Sequence, residues 1–299
     1  MSKTRKLIIV LIALFLLLVA LYRNVSSISK LTTSTVPTSS TSPIPISHYR
    51  PSDVQLGISQ YPPRQIVKML PPIRGGVVPH HLVAQLPLAA YFQNLSQYPY
   101  KRVILLGPNH DNLGDHSVVT SLSPWETPYG LVGADTENIK SLDCASHDEV
   151  ATNNEHSLEV LMPFVKTYLP LSSVIPLHLK RNLSLSELKS LRTCLLPLID
   201  AQTLILASVD FSHYLSSTEA SQKDRQTLGL IKQLDYEKLL SLSPDHLDSP
   251  PSLVLLLMLM QASNSTVLEV SNHTDASVLT NEPHQATTTH YYLNYYVQE

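Results

Sequence analysis

Short aliphatic runs recur along this chain at helix-length intervals, and three of them deliver a histidine. Gly75-Gly-Val-Val-Pro leads to His80, Val103-Ile-Leu-Leu-Gly-Pro-Asn to His110, and Leu204-Ile-Leu-Ala-Ser-Val-Asp-Phe-Ser to His213. An aliphatic run without polar alternation is the pattern of a strand buried on both faces, which parallel sheets require. Open α/β sheets gather ligands and reactive groups at the carboxyl ends of such strands. Neutral imidazole is the commonest protein ligand for divalent transition metals, so imidazoles delivered to one crevice read most simply as a metal site.

The rest of the pattern agrees with this class. Strands are expected at Gly75–Val78, Lys101–Leu106, His116–Leu122, Ser173–Leu177, Thr203–Ala207, Val267–Val270 and Thr288–Val297. Residues 82–97 read as a helix that Pro87 kinks or starts. Glu155–Tyr168 carries apolar residues at helical spacing. Ser184-Leu-Ser-Glu187 is a capping box opening a helix to about Leu198. Ala220–Leu240 reads as helix with a break near Asp235, and Pro251–Ala262 as a buried helix of Leu and Met. Strands alternating with helices predict an α/β fold, a single domain over 73–299 with a mainly parallel central sheet flanked by helices.

The amino-terminal part has a different character. Lys3, Arg5 and Lys6 precede an apolar run from Leu7 to Leu21, closed by Tyr22 and Arg23. A run of about fifteen residues fits a short membrane anchor or a signal-peptide core. Because no small-x-small cleavage site follows, an uncleaved signal anchor is favoured over a secreted, cleaved form, with the folded domain extracytoplasmic. From Asn24 to about Ser47 the Ser, Thr and Pro content predicts a flexible stalk, followed by a Pro-rich lead-in to about residue 72. Asn-x-Ser/Thr triplets at Asn24, Asn94, Asn182, Asn264 and Asn272 are expected to be chance matches in so Ser- and Thr-rich a chain.

A formal net charge of −3 over 299 residues, with 15% charged residues, excludes the basic face that nucleic-acid binding needs. Cys144 and Cys194 form no Cys-x-x-Cys, which excludes a thiolate zinc site of the usual kind; one disulfide is compatible with the sequence but not readable from it.

Several constellations carry two readings. Glu155 and His156, in Asn154-Glu-His-Ser157, open a helix; Glu there satisfies the helix dipole, or the pair supplies an acid/base or a ligand. Asp210 and His213, three apart beyond a strand, would project into the crevice; Asp210 either orients an imidazole or caps the next helix. His110 alone on its loop would ordinarily be a surface residue.

In combination these segments resemble the Memo family, also called AmmeMemoRadiSam system protein B. The resemblance rests on Val-Pro-His80, Gly-Pro-Asn-His110, Trp125-Glu-Thr-Pro-Tyr-Gly130, Asn154-Glu-His-Ser157, Met162-Pro163 and Ser208-Val-Asp-Phe-Ser-His213, in that order. It implies a fold akin to the LigB-like class III extradiol dioxygenases, which hold a non-haem iron at the sheet's crevice. It carries metal ligation to His80 and His110, and site roles to Glu155, His156, Asp210 and His213. The family's further ligand is a cysteine in Cys-Gly-x-x-Pro; aligning that proline with Pro250 puts His246 in its place. Asp111 stands where the family has a second histidine, and Asn109 where it has serine. His81, His116, His147, His178, His273, His284 and His290 receive no such support and read as packing or surface residues, His81 being the one beside the site.

The functional expectation is therefore a membrane-anchored Memo-like protein that binds a divalent metal, most readily Fe(II), with Zn(II) or Cu as alternatives. It leans towards a dioxygenase-like oxidoreductase acting on a small molecule, with His213 or His156 as acid/base oriented by Asp210. The alternative is a binding protein that holds a metal or a peptide without turnover. The family name links such proteins to radical-SAM and AMMECR-type partners.

Overall fold

The structure, a computed structural model, describes residues 42–66, 72–282 and 286–298. In chain order the elements are α1 (Ser52–Gln60), β1 (Gly75–Val78), a 3-10 turn (Leu82–Ala84), α2 (Gln85–Leu95), β2 (Arg102–Pro108), β3 (Val118–Thr120), α3 (Thr136–Lys140), β4 (Ser146–His147), α4 (Glu149–Asn153), α5 (His156–Glu159), α6 (Met162–Tyr168), β5 (Ser173–Leu179), α7 (Leu185–Leu195), β6 (Thr203–Ser208), α8 (Ser217–Gln233), α9 (Tyr236–Leu240), α10 (Pro250–Ala262), β7 (Val267–Asp275), α11 (Ala276–Leu279) and β8 (Thr289–Tyr296).

All the strands join one sheet in the order β4-β3-β5-β2-β6-β1-β8-β7. Its centre, β5-β2-β6-β1, is parallel throughout. The antiparallel pairings lie towards the two edges. This is the expected α/β class with a mostly parallel sheet. Register pairs Val78 with Ser208 and Leu106 with Ala207, so the central strands end at one level. The segments carrying His80, His110 and Asp210 therefore leave the sheet side by side.

Strand alternation divides the core. Val77, Ile104, Leu106, Ile175, Leu177 and Ile205 point to one face, beneath α10, α7 and α8. Val78, Val103, Leu105, Val174, Leu204 and Leu206 point to the other, beneath α2 and α6. Helix α10 is buried continuously from Pro250 to Met260, which explains its lack of any polar face.

Local chemistry sets the helix limits. Ser184 and Glu187 form both halves of the capping box that opens α7, and Ser216 and Glu219 form a second one for α8. The break near Asp235 is real: Leu234 ends α8 in the left-handed region and Asp235 caps α9. The single helix expected over Glu155–Tyr168 is divided into α5 and α6. Pro163 sits in the first turn of α6, where its missing N–H costs nothing, but it could not have continued α5.

The fold begins earlier than the composition suggested. The compact unit runs from Thr41 to Glu299. Within the stretch read as stalk and lead-in, Ile44 bridges to Trp125, and Tyr49 and Val54 are buried. Ser52–Gln60 is helical and packs on α2, where Gly57 N–H donates to Gln85 Oε1 at 3.0 Å.

The expectation of a membrane-anchored, extracytoplasmic domain is corrected. Among the described residues no helix is long and apolar enough to cross a membrane. The most apolar of them, α10, has 13 residues and is closed into the core. At 1.5 Å per residue it reaches about 20 Å, short of the ~30 Å of hydrocarbon in a bilayer. The Leu7–Leu21 run on which the expectation rested lies outside the described residues, as does most of the Asn24–Ser47 segment.

Cys144 and Cys194 are joined in a disulfide across a sequence separation of 50 residues, tying the approach to β4 to the end of α7. Closing a loop of that size removes denatured-state entropy worth about 4 kcal/mol. Replacing both cysteines by serine is expected to cost about 2–4 kcal/mol of stability and to steepen the slope of the urea transition, because the uncrosslinked denatured chain exposes more surface, checked by chemical denaturation against the oxidised parent.

Candidate functional site

Beyond the carboxyl ends of β1, β2 and β6 lies a cavity of about 920 Å³, lined among others by His48, His80, His81, His110, His156, Asp210, His213 and Asp248. One ring nitrogen from each of His80, His110 and His156 lies within 4.8 Å of the others. The His110 and His156 rings stack at 4.7 Å between centroids, and His80 stands edge-on to both at 5.3 Å.

Each of these rings is held from behind. Nδ1 of His80 meets Ser208 Oγ at 3.2 Å, and that hydroxyl donates onward to the Ser157 carbonyl at 2.7 Å. Nδ1 of His110 meets Glu155 Oε1 at 2.9 Å, and the His110 N–H donates to Glu155 Oε2 at 2.6 Å. Nδ1 of His156 lies 3.4 Å from Glu155 Oε1. Glu155 also accepts from the Ser157 N–H, so it caps α5 and orients two imidazoles at once. With Nδ1 engaged, Nε2 of His80 and of His110 face Asp248 Oδ2, at 3.1 and 3.9 Å.

Gly107 gives this arrangement room. A Cβ there would stand 2.7 Å from Leu158 Cδ2 and 2.8 Å from Ser157 Oγ, so any larger residue would have to displace those side chains where β2 meets α5.

The charges are strongly coupled. Burial works against a charged His110, but the carboxylates of Asp248 and Glu155 outweigh it and push its pKa up to about 10. Burial likewise opposes charge on His80, and Asp210 and Asp248 raise it in spite of that. Burial would raise the carboxyls, but His110 holds Glu155, and His80 with His110 hold Asp248, far below the usual carboxylate range. His156 goes the other way: burial, helped by the neighbouring His80, brings it down to about 4.

Not every sequence-derived candidate joins this group. His246 turns away, with Nδ1 3.0 Å from Ser243 Oγ and Nε2 3.3 Å from Gln226 Oε1. Asp248, two residues on and immediately before the Ser249 cap of α10, takes the inward position instead. Arg181 holds that loop by donating to the carbonyls of Leu242, Leu247 and Asp248. Asp210 does not orient His213: among the described residues no hydrogen bond joins them. Its Oδ1 accepts the His80 N–H at 3.2 Å, its own N–H donates to Asp248 Oδ2 at 3.2 Å, and the next helix is capped by Ser216. His213 lines the cavity with a buried Nδ1 that has no hydrogen-bond partner.

Two contributors had no signal strong enough to be singled out. Asp248 sits in an ordinary-looking Asp-His-Leu-Asp loop; its position just before a wholly apolar helix was the available clue. His48 comes from the segment read as stalk. The buried Glu159 carboxylate accepts from the backbone N–H groups of Ser47 and His48 and pairs with the His48 ring, which stands 6.0 Å from His156.

A mostly parallel α/β sheet with imidazoles and buried carboxylates converging beyond its strand ends defines the class. The model of the Memo-like protein family matches residues 60–286, and the chain belongs to that family. Similar relatives include a MEMO1 family protein of Nitrosopumilus maritimus, 32% identical over 56% of this chain and 64% of that one. Another, from Aquifex aeolicus, is 36% identical over 46% of this chain and 54% of its own length. The chain thus spans less than two thirds of the curated relatives it matches. A solved structure of an uncharacterized protein from Escherichia coli K12 is similar at a TM-score of 0.47 and 13% identity, over 74% of this chain and 99% of that one. A likeness that distant carries nothing about activity.

Beneath the site His178 is fully buried, its Nδ1 3.4 Å from the Pro108 carbonyl and its Nε2 without a partner. Burial pushes its pKa from 6.5 down to about 4. The unfolded chain therefore binds a proton that the native state refuses between those values, and stability falls as pH drops from about 6.5 towards 4. Replacing His178 by Met is expected to make that acid-side fall shallower by on the order of 3 kcal/mol, read from urea unfolding at pH 7 and at pH 4.5.

Proposed function

We propose that this chain holds a divalent metal ion, most readily Fe(II), between His80, His110 and Asp248, with His156 as a further donor, and applies it to a small oxidisable molecule admitted to the cavity. The observation that carries the reading is the division of labour in the rings. Nδ1 of His80 and His110 is taken up by Ser208 and Glu155, which leaves Nε2 of both facing one carboxylate oxygen. Partners of that kind fix the tautomer a metal-binding histidine needs. Asp248 Oδ1 is buried and has no hydrogen-bond partner, an orphaned acceptor that a cation would satisfy.

The donor chemistry favours iron. Two imidazoles and one carboxylate are the set used by non-haem Fe(II) oxygenases, whereas soft metals prefer sulfur. Bound there, the ion supplies a redox-active Lewis acid with positions left open for exogenous ligands. The chain's own groups do the rest. Glu155 keeps His110 and His156 in orientation, and Asp210 fixes the backbone at His80. His213, which lines the cavity and makes no hydrogen bond through its buried Nδ1, is the side chain assigned to proton exchange with the substrate.

Anaerobically purified full-length protein is expected to retain iron that His80→Ala with His110→Ala removes, measured by elemental analysis. Glu155→Gln should weaken metal affinity about 10- to 100-fold while leaving the fold intact. Iron-loaded protein should consume oxygen with catechol-type compounds, and His213→Ala should slow turnover without loss of metal. Metal content unchanged by the double substitution overturns the site. Tight metal with no oxygen use across such a panel overturns turnover and leaves a metal-binding protein.

A further inference from the structure

We propose that His81, His290 and Asp210 form a second divalent-cation site, of the kind Zn(II) occupies, next to the first, with Asp210 touching the backbone of His80 and the Asp248 carboxylate between them. One ligand atom from each of the three lies within 4.8 Å of the others. They come from neighbouring strands of the sheet: His81 follows β1, Asp210 follows β6 on one side of it, and His290 lies on β8 on the other.

The geometry is that of ligands rather than of a good hydrogen bond. Nδ1 of His81 stands 3.3 Å from Nε2 of His290. Two nitrogens at 2.0–2.1 Å from a tetrahedral Zn(II) are about 3.3–3.4 Å apart. A nitrogen–nitrogen hydrogen bond at that separation would be a long one. The His290 ring is fully buried and is fixed from behind, its Nδ1 3.0 Å from Thr274 Oγ1 on the paired strand β7. With the proton on Nδ1 donated to that hydroxyl, Nε2 presents a lone pair towards His81. Asp210 has acceptor capacity for this role, since one of its oxygens accepts only the His80 N–H and the other lies 3.7 Å from His80 Nε2.

Two imidazoles and a carboxylate make a donor set of nitrogen and oxygen, which suits Zn(II) or Fe(II) over a soft ion. The site stands on its own residues and does not require the first to be filled.

The test is a zinc count on full-length, chelator-stripped protein titrated with ZnCl2, in the parent, in His81→Ala, in His81→Ala with His290→Gln, and in His80→Ala with His110→Ala. Two equivalents in the parent and one in each double variant are expected. Zn(II) should also still raise the melting temperature of the His80/His110 variant, as a ligand bound only to the native state must. One equivalent in the parent, lost only with His80 and His110, overturns this site and leaves the first standing. One equivalent lost only with His81 and His290 supports this site and overturns the first; none at all overturns both. Should the His290 variant fail to fold, His81→Ala alone carries the test, and an undiminished zinc count in it overturns the proposal.

Discussion

A carboxylate cut off from water must be neutralised where it sits, and the carboxyl ends of the central strands hold three such groups. Glu155, Asp210 and Asp248 are all nearly excluded from solvent. Leaving any one unpaired would cost several kcal/mol. Each meets an imidazole or a backbone N–H instead: Glu155 meets His110 and the Ser157 amide, Asp210 the His80 amide, and Asp248 the His80 ring and the Asp210 amide. The loops after β1, β2 and β6 and before α10 are thereby tied to one another by charge, not merely placed side by side by topology. Each acid thus touches more than one loop.

The same device secures the amino-terminal segment. Glu159 is 1% exposed, and among the described residues no lysine or arginine pairs with it. Its charge is balanced by two backbone amides, a hydroxyl and the ring of His48. A segment of Ser, Pro and sparse aliphatics, which on its own buries too little to fold, is held by one acid at the end of α5. Ile44 beside Trp125 and Val54 against α2 complete the attachment. The consequence is a fourth imidazole beside the site, delivered by residues upstream of the stretch that the family model matches.

What could be read in the sequence was whatever depends on neighbours in the chain. Buried strands and helices were legible from periodicity, the start of α7 from its capping box, and His80 and His110 from their position just past aliphatic runs. What could not be read depends on direction. His246 and Asp248 are two residues apart in one loop, and only the path imposed by Arg181 and by the start of α10 decides which faces inward. The division between α5 and α6 was written in Pro163, but a helical apolar pattern running across it masked the signal. His81 and His290 are more than 200 positions apart, and nothing local links them; the β1–β8 pairing does. The 42–60 segment was misread because composition reports an average, while attachment there rests on a few buried side chains.

The cysteines of this chain bear on the donor set proposed for the site. Resemblance to the Memo family implies a cysteine near the metal, and this chain has only Cys144 and Cys194, both consumed in a disulfide. No thiolate is therefore on offer, and the inward position on the loop before α10 belongs to the carboxylate of Asp248. Exchanging a soft, polarisable donor for a hard one moves affinity away from Cu(I) and towards Fe(II) or Zn(II). A carboxylate also offers a second oxygen, which a thiolate does not, and the neighbouring Asp210 has the same capacity. Two adjacent carboxylates among six imidazoles form a polar floor, and that mix of oxygen and nitrogen donors would favour a borderline ion such as Fe(II) or Zn(II), as proposed, over a soft one.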